Sequence, residues 1–486
     1  MNEEIRLLQP KTVWTKFADL NAVPRPSKKE ERVIQFMSDF GKSLDLETLK
    51  DTVGNVIIRK PATAGMENRT MVTLQSHLDM VHQKNNDTTF DFDSQGIEMY
   101  VEEDWVKAKG TTLGADNGMG VAAIMALLER TDIPHPALEA LFTIDEETGM
   151  TGAMGLKGGI LKGKILLNLD TEEDDELDIG CAGGIDVTAT RPYNGKPLPR
   201  ATVPYEISVN GLRGGHSGIE IHKGLGNANK IMNRLLYNAL NNFTMRIAEI
   251  EGGSLRNAIP RESIAKVVVL KSQTDDFEKS IQEWADTLKK ELKVQDPLLK
   301  ITAEKCSPPK MVMGLGAQER LLKSIYAAHN GVYAMSSAIP DLVETSNNVA
   351  RVVVKDGSIK VGCLTRSSVD SAKADLANAL KSTFELARFE VNFGGNYPGW
   401  APNADSAILK VAENKYEELF GKKPKVAACH AGLECGILGQ NYPEMDMISF
   451  GPTILGAHSP DERVSISSVQ KFWKFLLAVL KEIPKE

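Results

Sequence analysis

Three carboxylates in a row, Asp145, Glu146 and Glu147, close the apolar run LEALFTI. A strand end cannot bury three like charges without a counter-charge, because desolvation and mutual repulsion each cost several kcal/mol. In isolation, DEE would be a solvated acidic loop. Here four other segments also place a His or Asp at or near the end of an apolar run. They are His77 and Asp79 in MVTLQSHLDMV, Asp116 in GTTLGADNG, Asp170 in KILLNLD, and His458 in ISFGPTILGAHSP. Two imidazoles with several carboxylates form the ligand set of a dinuclear, zinc-type hydrolase.

The elements that must position these groups follow from periodicity. Trp14, Phe17 and Leu20 make one apolar helical stripe, and SKKE from Ser27 reads as a capping box before Val33, Phe36, Met37 and Phe40 at helical spacing. NVIIRK and MVTLQSHLDMV read as strands of an α/β sheet, with His77 and Asp79 two apart and so on one face. Residues 88–112 are polar and Gly-punctuated, with DFDSQGIEMYVEEDWVKAKG reading as short hairpin strands. GADNGMG leads into the helix VAAIMALLERT, where Asp116 or Asn117 could serve as a plain N-cap, or Asp116 could sit between two cations with the glycines permitting close approach. TEEDDELD after Asp170 is taken as mostly solvated.

Between about 187 and 397 the pattern changes to an α+β region with two similar halves. Each places an Asn turn (Asn257; Asn347 and Asn348) before a strand pair, a helix and a strand. The expected fold is therefore α/β: a mixed sheet flanked by helices, built from 1–186 and 398–486, with an inserted α+β lid domain of two related halves at 187–397. At 486 residues, two domains are the natural expectation.

A net charge of −8 without a Lys/Arg cluster argues against nucleic acid. No apolar stretch approaches the roughly 20 residues of a membrane helix. MNEEIRLLQPK lacks a basic start and apolar run, and the five cysteines are odd in number and scattered. These features lead to the expectation of a reducing cytoplasm.

The motifs SHLDMV, LGADNGMG, TIDEETGMTGA, ILLNLD, GGHSG, HAGLECG and GAHSPDE jointly resemble those of the dinuclear zinc peptidase family of aminoacylases, carboxypeptidases and dipeptidases. Within it, the chain is most similar to the aminoacyl-histidine dipeptidase, carnosinase-like branch, over essentially its whole length. The resemblance implies a cytosolic metallo-dipeptidase acting on short peptides, Xaa-His dipeptides such as β-Ala-His among them, with two Zn2+ per chain and Co2+ or Mn2+ as substitutes. His77 and Asp170 would hold one metal, Glu147 and His458 the other, and Asp116 would bridge them. Asp79 would orient His77, and Glu146 would be the general base that deprotonates a water shared by the cations. His216 resembles the lid histidine that assists the attacked carbonyl. Arg366 resembles the group that holds the substrate's terminal carboxylate, with Asn257, Asn347 and the loop from Gly432 to Glu434 as further substrate contacts. His430 and Glu434 have a metal-capable i,i+4 spacing but match no ligand of the family, and His82, His135, His222 and His329 lack motif support. An aminoacylase-type amidohydrolase and a peptide-binding pseudoenzyme stay open as alternatives, and a homodimer is compatible with the sequence.

Overall fold

The computed structural model describes residues 2–85, 87–337 and 339–485. It divides into two compact units, one formed by 1–180, 400–428 and 433–486, the other by 181–399 and 429–432.

The first unit is built on an eight-stranded mixed sheet. Its order is Glu47–Lys50, Val56–Lys60, Leu138–Thr143, Val72–His77, Ile165–Asn168, Asp446–Ser449, Glu176–Cys181 and Lys425–Cys429. The four central strands, from Leu138–Thr143 to Asp446–Ser449, run parallel. Val72–His77, Leu138–Thr143 and Ile165–Asn168 are buried at every position, as expected of strands covered on both faces. Their apolar side chains each contribute about 1.5–3 kcal/mol by leaving water. Helix Lys11–Asn21 packs on helix Ala115–Glu129, which packs on strand Val72–His77. Helices Ala407–Phe420 and Ile466–Lys481 pack together. A separate four-stranded sheet joins Met99–Glu102, Trp105–Ala108, Arg463–Ser465 and Ile454–Leu455.

The second unit carries a nine-stranded antiparallel sheet. The order is Lys300–Lys305, Thr202–Asn210, Ser263–Leu270, Met245–Gly252, Val343–Lys355, Ser358–Ser367, Gly183–Pro192 and Glu390–Tyr397, with Gly331–Met335 pairing to Val343–Lys355. Alternate residues such as Tyr205, Ile207 and Val209, or Ala265, Val267 and Val269, share one core with helices Ala228–Asn242, Thr274–Glu291, Leu315–Ala327 and Asp370–Leu386.

Three local readings are corrected. Ser27 is not a helix cap: helix Glu31–Ser43 starts later without a side-chain cap, and the Ser27 hydroxyl donates instead to Asp79 Oδ2 at 2.8 Å. Asn347 and Asn348 lie inside strand Val343–Lys355 rather than in a turn. The run 171–178 is not mostly solvated, since Thr171, Leu177 and Asp178 are buried and strand Glu176–Cys181 begins within it. Leu177 and Ile179 bring Asp178 into the sheet against the cost of desolvating its carboxyl.

Candidate metal centre

In open α/β sheets, ligand sites form beyond the carboxyl ends of parallel strands. His77 is the last residue of its strand, Asp145, Glu146 and Glu147 follow Leu138–Thr143, and Asp170 follows Ile165–Asn168. Asp116 stands at the start of helix Ala115–Glu129, where it and Asn117 depart from helical geometry. Asn117 does not cap that helix; its side-chain amide donates to the Leu169 carbonyl at 2.6 Å. His458 lies between Ile454–Leu455 and Arg463–Ser465.

These positions converge. Asp116 Oδ1 is 3.2 Å from His77 Nε2, and Asp116 Oδ2 is 3.1 Å from His458 Nε2. Asp170 Oδ1 is 3.5 Å from His77 Nε2, and Glu147 Oε2 is 2.9 Å from His458 Nε2. Two ligand groups thus share Asp116, His77–Asp116–Asp170 and Asp116–Glu147–His458, and Glu146 groups with His77 and Glu147. Buried Glu147 Oε1 and Asp170 Oδ1 accept no hydrogen bond.

The charges of the cluster act strongly on one another. Burial alone would lower His77, yet Asp170, Asp116 and Asp79 outweigh it and raise its pKa well above the ordinary imidazole value. Hydrogen bonds to Asp116 and Glu147 push His458 up to about 11. Burial would raise Asp116, but the two imidazoles hold it well below the usual carboxylate range. Burial and the surrounding carboxylates push Glu146 well up, and burial with Asp116 raises Glu147. Two divalent cations fit this cluster, because the donors are mixed N and O, Asp116 presents an oxygen to each side, and Glu147 Oε1 and Asp170 Oδ1 are buried without a hydrogen bond. His77, Asp170, Glu147 and His458 with a shared Asp116 can hold such a pair.

Neighbouring groups fix this geometry. Asp79, fully buried, meets His77 Nδ1 with its backbone carbonyl at 3.1 Å and its carboxylate Oδ1 at 3.4 Å, and the carboxylate accepts the backbone N–H groups of Glu146 (3.0 Å) and Glu147 (3.3 Å). One residue therefore orients the imidazole and places the two acidic residues. Asp145 is occupied otherwise: it accepts from Thr148, from Thr151 Oγ1 at 2.7 Å and from Lys28 Nζ at 3.1 Å. It shapes the turn and is absent from both ligand groups.

Sequence reasoning passed over Glu462 and Arg25. Glu462 is 2% exposed and accepts four consecutive backbone N–H groups, Leu113 (2.7 Å) and Gly114 (2.9 Å) on Oε2, Ala115 (2.7 Å) and Asp116 (3.2 Å) on Oε1. Arg25 is 1% exposed and donates to the carbonyls of Leu78, Asp79 and Gly114. Together they clamp the two segments that carry His77 and Asp116. Gly114 takes φ +70°, and a Cβ there would stand 2.5 Å from Arg25 Nη2, so the turn needs glycine. The glutamate in SPDE and the arginine in PRPS carried no signal, because their partners are backbone groups far along the chain. Glu172, read as solvated, is half-buried; burial and Asp116 push its carboxyl up to about 9.

Glu434 is also in the first unit. It is fully buried, its Oε2 accepts from Gln75 Nε2 and Thr143 Oγ1 at 2.6 Å each, and its Oε1 accepts nothing. Glu434 is close enough to Glu146, His77 and Asp170 to share their electrostatics.

The remaining candidates belong to the second unit. His216 Nδ1 accepts the N–H groups of Gly218 (3.2 Å) and Ile219 (3.0 Å), which leaves the ring proton on Nε2. With exposed Asn257 it lines a cavity of about 890 Å3. Arg366 is 4% exposed, donates to the Tyr397 hydroxyl at 2.8 Å, and has a buried Nε without a partner. Asn347 is engaged at both ends inside its sheet, donating to the His329 carbonyl at 2.7 Å and accepting from Thr365 Oγ1 at 3.0 Å. Gly432 lies in the short segment 429–432. His430 is not paired with Glu434: its Nε2 is 2.8 Å from the Ser346 hydroxyl.

The model of Peptidase family M20/M25/M40 matches residues 73–482. The chain belongs to this family. This M20 metallopeptidase is 43% identical over 481 residues to the cytosol non-specific dipeptidase of Escherichia coli (strain K12), with 99% of each chain covered. The crystal structure of the aminoacylhistidine dipeptidase from Vibrio alginolyticus superposes with a TM-score of 0.92 at 43% identity, covering 100% of this chain and 99% of that one. Human carnosine dipeptidase 1, at 12% identity and a TM-score of 0.50 over 99% and 97% of the two chains, shares the fold. No helix among the described residues of this M20 peptidase is long and apolar enough to cross a membrane.

Proposed function

We propose that this M20 peptidase is a cytoplasmic dipeptidase that uses two Zn2+ to hydrolyse short peptides with a free amino terminus, Xaa-His dipeptides such as β-Ala-His among them. The observation that carries the reading is the sharing of Asp116 between two His-carboxylate groups with Glu146 beside them. When bound, the cations would polarise the scissile carbonyl and acidify the attacking water. His77 and Asp170 would hold one, Glu147 and His458 the other, and Asp116 both. Glu146 takes the proton from the water and returns it to the leaving nitrogen. Asp79 keeps His77 and Glu146 aligned for that transfer. Within the second unit, the Nε2–H of His216 is suited to donate to a carbonyl oxygen, and the unpartnered Nε of Arg366 to a carboxylate.

Glu434 favours a dipeptidase over an aminoacylase. A buried carboxylate with one oxygen unpartnered suits an ammonium, whereas an N-acyl group would leave that oxygen unsatisfied at about 1–3 kcal/mol or more. The intact base and ligand set speak against a pseudoenzyme. The deciding assay compares metal-dependent hydrolysis of a dipeptide panel, including β-Ala-His, with that of the matching N-acetyl amino acids. Preference for N-acetyl substrates would overturn the reading.

A further inference from the structure

Beneath the metal centre a row of polar side chains crosses the sheet of the first unit. Asp178, Ser449, Asn168 and Gln75 occupy paired positions on four adjacent strands. Asp178 is 5% exposed, Thr171 7%, and Ser449, Asn168, Gln75, Thr143 and Glu434 are fully buried. Gln75 lies two residues before His77 on the same strand face, and Asn168 two before Asp170. The contacts run without a break: Asp178 Oδ2 to Thr171 Oγ1 (2.8 Å), Thr171 to Ser449 Oγ (2.7 Å), Ser449 to Asn168 Oδ1, Asn168 Nδ2 to Gln75 Oε1 (2.5 Å), and Gln75 Nε2 to Glu434 Oε2 (2.6 Å).

Counting hydrogens sets the direction of this row. Gln75, Thr143 and Glu434 form a triangle with Gln75 Nε2 also 3.2 Å from Thr143 Oγ1 and Thr143 Oγ1 2.6 Å from Glu434 Oε2. With the Gln75 amide nitrogen facing in, its two N–H groups and the one Thr143 hydrogen fill all three contacts, and Glu434 is an ionised acceptor. With the amide reversed, the triangle would be one hydrogen short even after protonating Glu434. Gln75 Oε1 therefore accepts from Asn168, and Asn168 Oδ1 accepts the single hydrogen of Ser449. The 2.7 Å contact between Ser449 and Thr171 then needs the single hydrogen of Thr171. None is left for Asp178, so Asp178 must donate.

We infer that Asp178 is a neutral carboxylic acid and a positioning residue: its proton sets the polarity of the whole row and holds Glu434 as a carboxylate with one oxygen kept for the substrate's ammonium. The second half of that statement rests on the dipeptidase reading above; the first does not. Burial pushes Asp178 up to about 7, consistent with a retained proton. Burial also pushes Glu434 up to about 8. Two donated hydrogen bonds and the charge of divalent cations, when bound, pull Glu434 back to its ionised form, whereas the hydrogen-bond partner of the Asp178 carboxyl among the described residues is the Thr171 hydroxyl, with Glu176 opposing its ionisation and Lys425 favouring it.

The test uses metal-loaded enzyme at neutral pH and the variants Asp178→Asn, Asp178→Ala and Glu434→Gln. The infrared difference spectrum between wild type and Asp178→Asn should contain a deuterium-sensitive carbonyl band of a protonated carboxylic acid. Because an amide N–H also donates to Thr171, Asp178→Asn should keep KM for free-amine dipeptides within about twofold, while Asp178→Ala should raise it about tenfold with less effect on kcat. Metal content should stay at the wild-type value in both. Absence of the acid band, or an Asp178→Asn enzyme as impaired as Asp178→Ala, overturns the inference. If Asp178→Ala does not fold, the spectrum decides alone. A band present with a Glu434→Gln enzyme of unchanged KM would keep the neutral Asp178 and overturn the ammonium role of Glu434.

Discussion

Replacing Glu462 by Gln changes one atom and should undo the metal centre. The carboxylate accepts two N–H groups on each oxygen, at 2.7 to 3.2 Å. A Gln side chain keeps one oxygen, and whichever way it turns its amino group faces two of the four donors. Hydrogen bonds to charged groups are worth about 1.5–3 kcal/mol each, so losing two predicts a cost of about 3–6 kcal/mol. The loss falls on residues 113–116, and hence on Asp116, which faces both His77 and His458. Bound metal would mask part of the change by stabilising the folded state. Denaturant unfolding of metal-free protein therefore measures the scaffold term, and calorimetric titration of Zn2+ into each form measures the site. Glu462→Gln should lower the unfolding free energy by that amount and weaken binding at both metal positions. A loss under about 1 kcal/mol with wild-type Zn2+ affinity would refute the clamp.

Glu146→Gln should keep the fold and the metals but lose about 10²–10⁴ in kcat, whereas Glu147→Gln should weaken one metal site; near-normal turnover of Glu146→Gln would show the base misassigned. Protein purified without added metal or chelator should approach two ions per chain by elemental analysis, and chelation should abolish hydrolysis until Zn2+, Co2+ or Mn2+ is returned. Burial and Arg366 hold His430 neutral, lowering its pKa to about 3. The unfolded chain therefore binds the extra proton first, so stability present above about pH 6.5 is lost as pH falls below it, by up to about 1.4 kcal/mol per pH unit. In metal-free protein His430→Gln should flatten that slope between about pH 6.5 and 4.5, and parallel slopes would contradict the assignment.

His77, Glu147 and Asp170 were legible because each follows an apolar run, and the ends of parallel strands meet on one side of a sheet; His458, in the link between Ile454–Leu455 and Arg463–Ser465, was legible only from its motif. Glu462 and Arg25 were not, since a residue that binds backbone leaves no complementary letter elsewhere in the chain. The charge run at 171–178 misled for a related reason. Its two polar members that matter, Thr171 and Asp178, are accommodated by Ser449, a residue 278 positions downstream of Thr171. Ser27 likewise matched a helix cap by spacing, but a buried Asp79 competed for the same hydroxyl and won it.

Strand Asp446–Ser449 lies between Ile165–Asn168 and Glu176–Cys181, near neighbours in sequence. Ser449 is 281 positions after the Asn168 it joins. At roughly 5–20 residues per second, a ribosome delivers the flanking strands roughly 15–60 s before the strand that joins them. During that interval the growing chain carries Ile165–Asn168 with one edge unpaired and Glu176–Cys181 without either sheet neighbour, while all of 181–399 is being made. A nascent or C-terminally truncated chain is therefore a client for a holdase, and hydrogen exchange on stalled chains should find 165–168 unprotected until 446–449 has emerged.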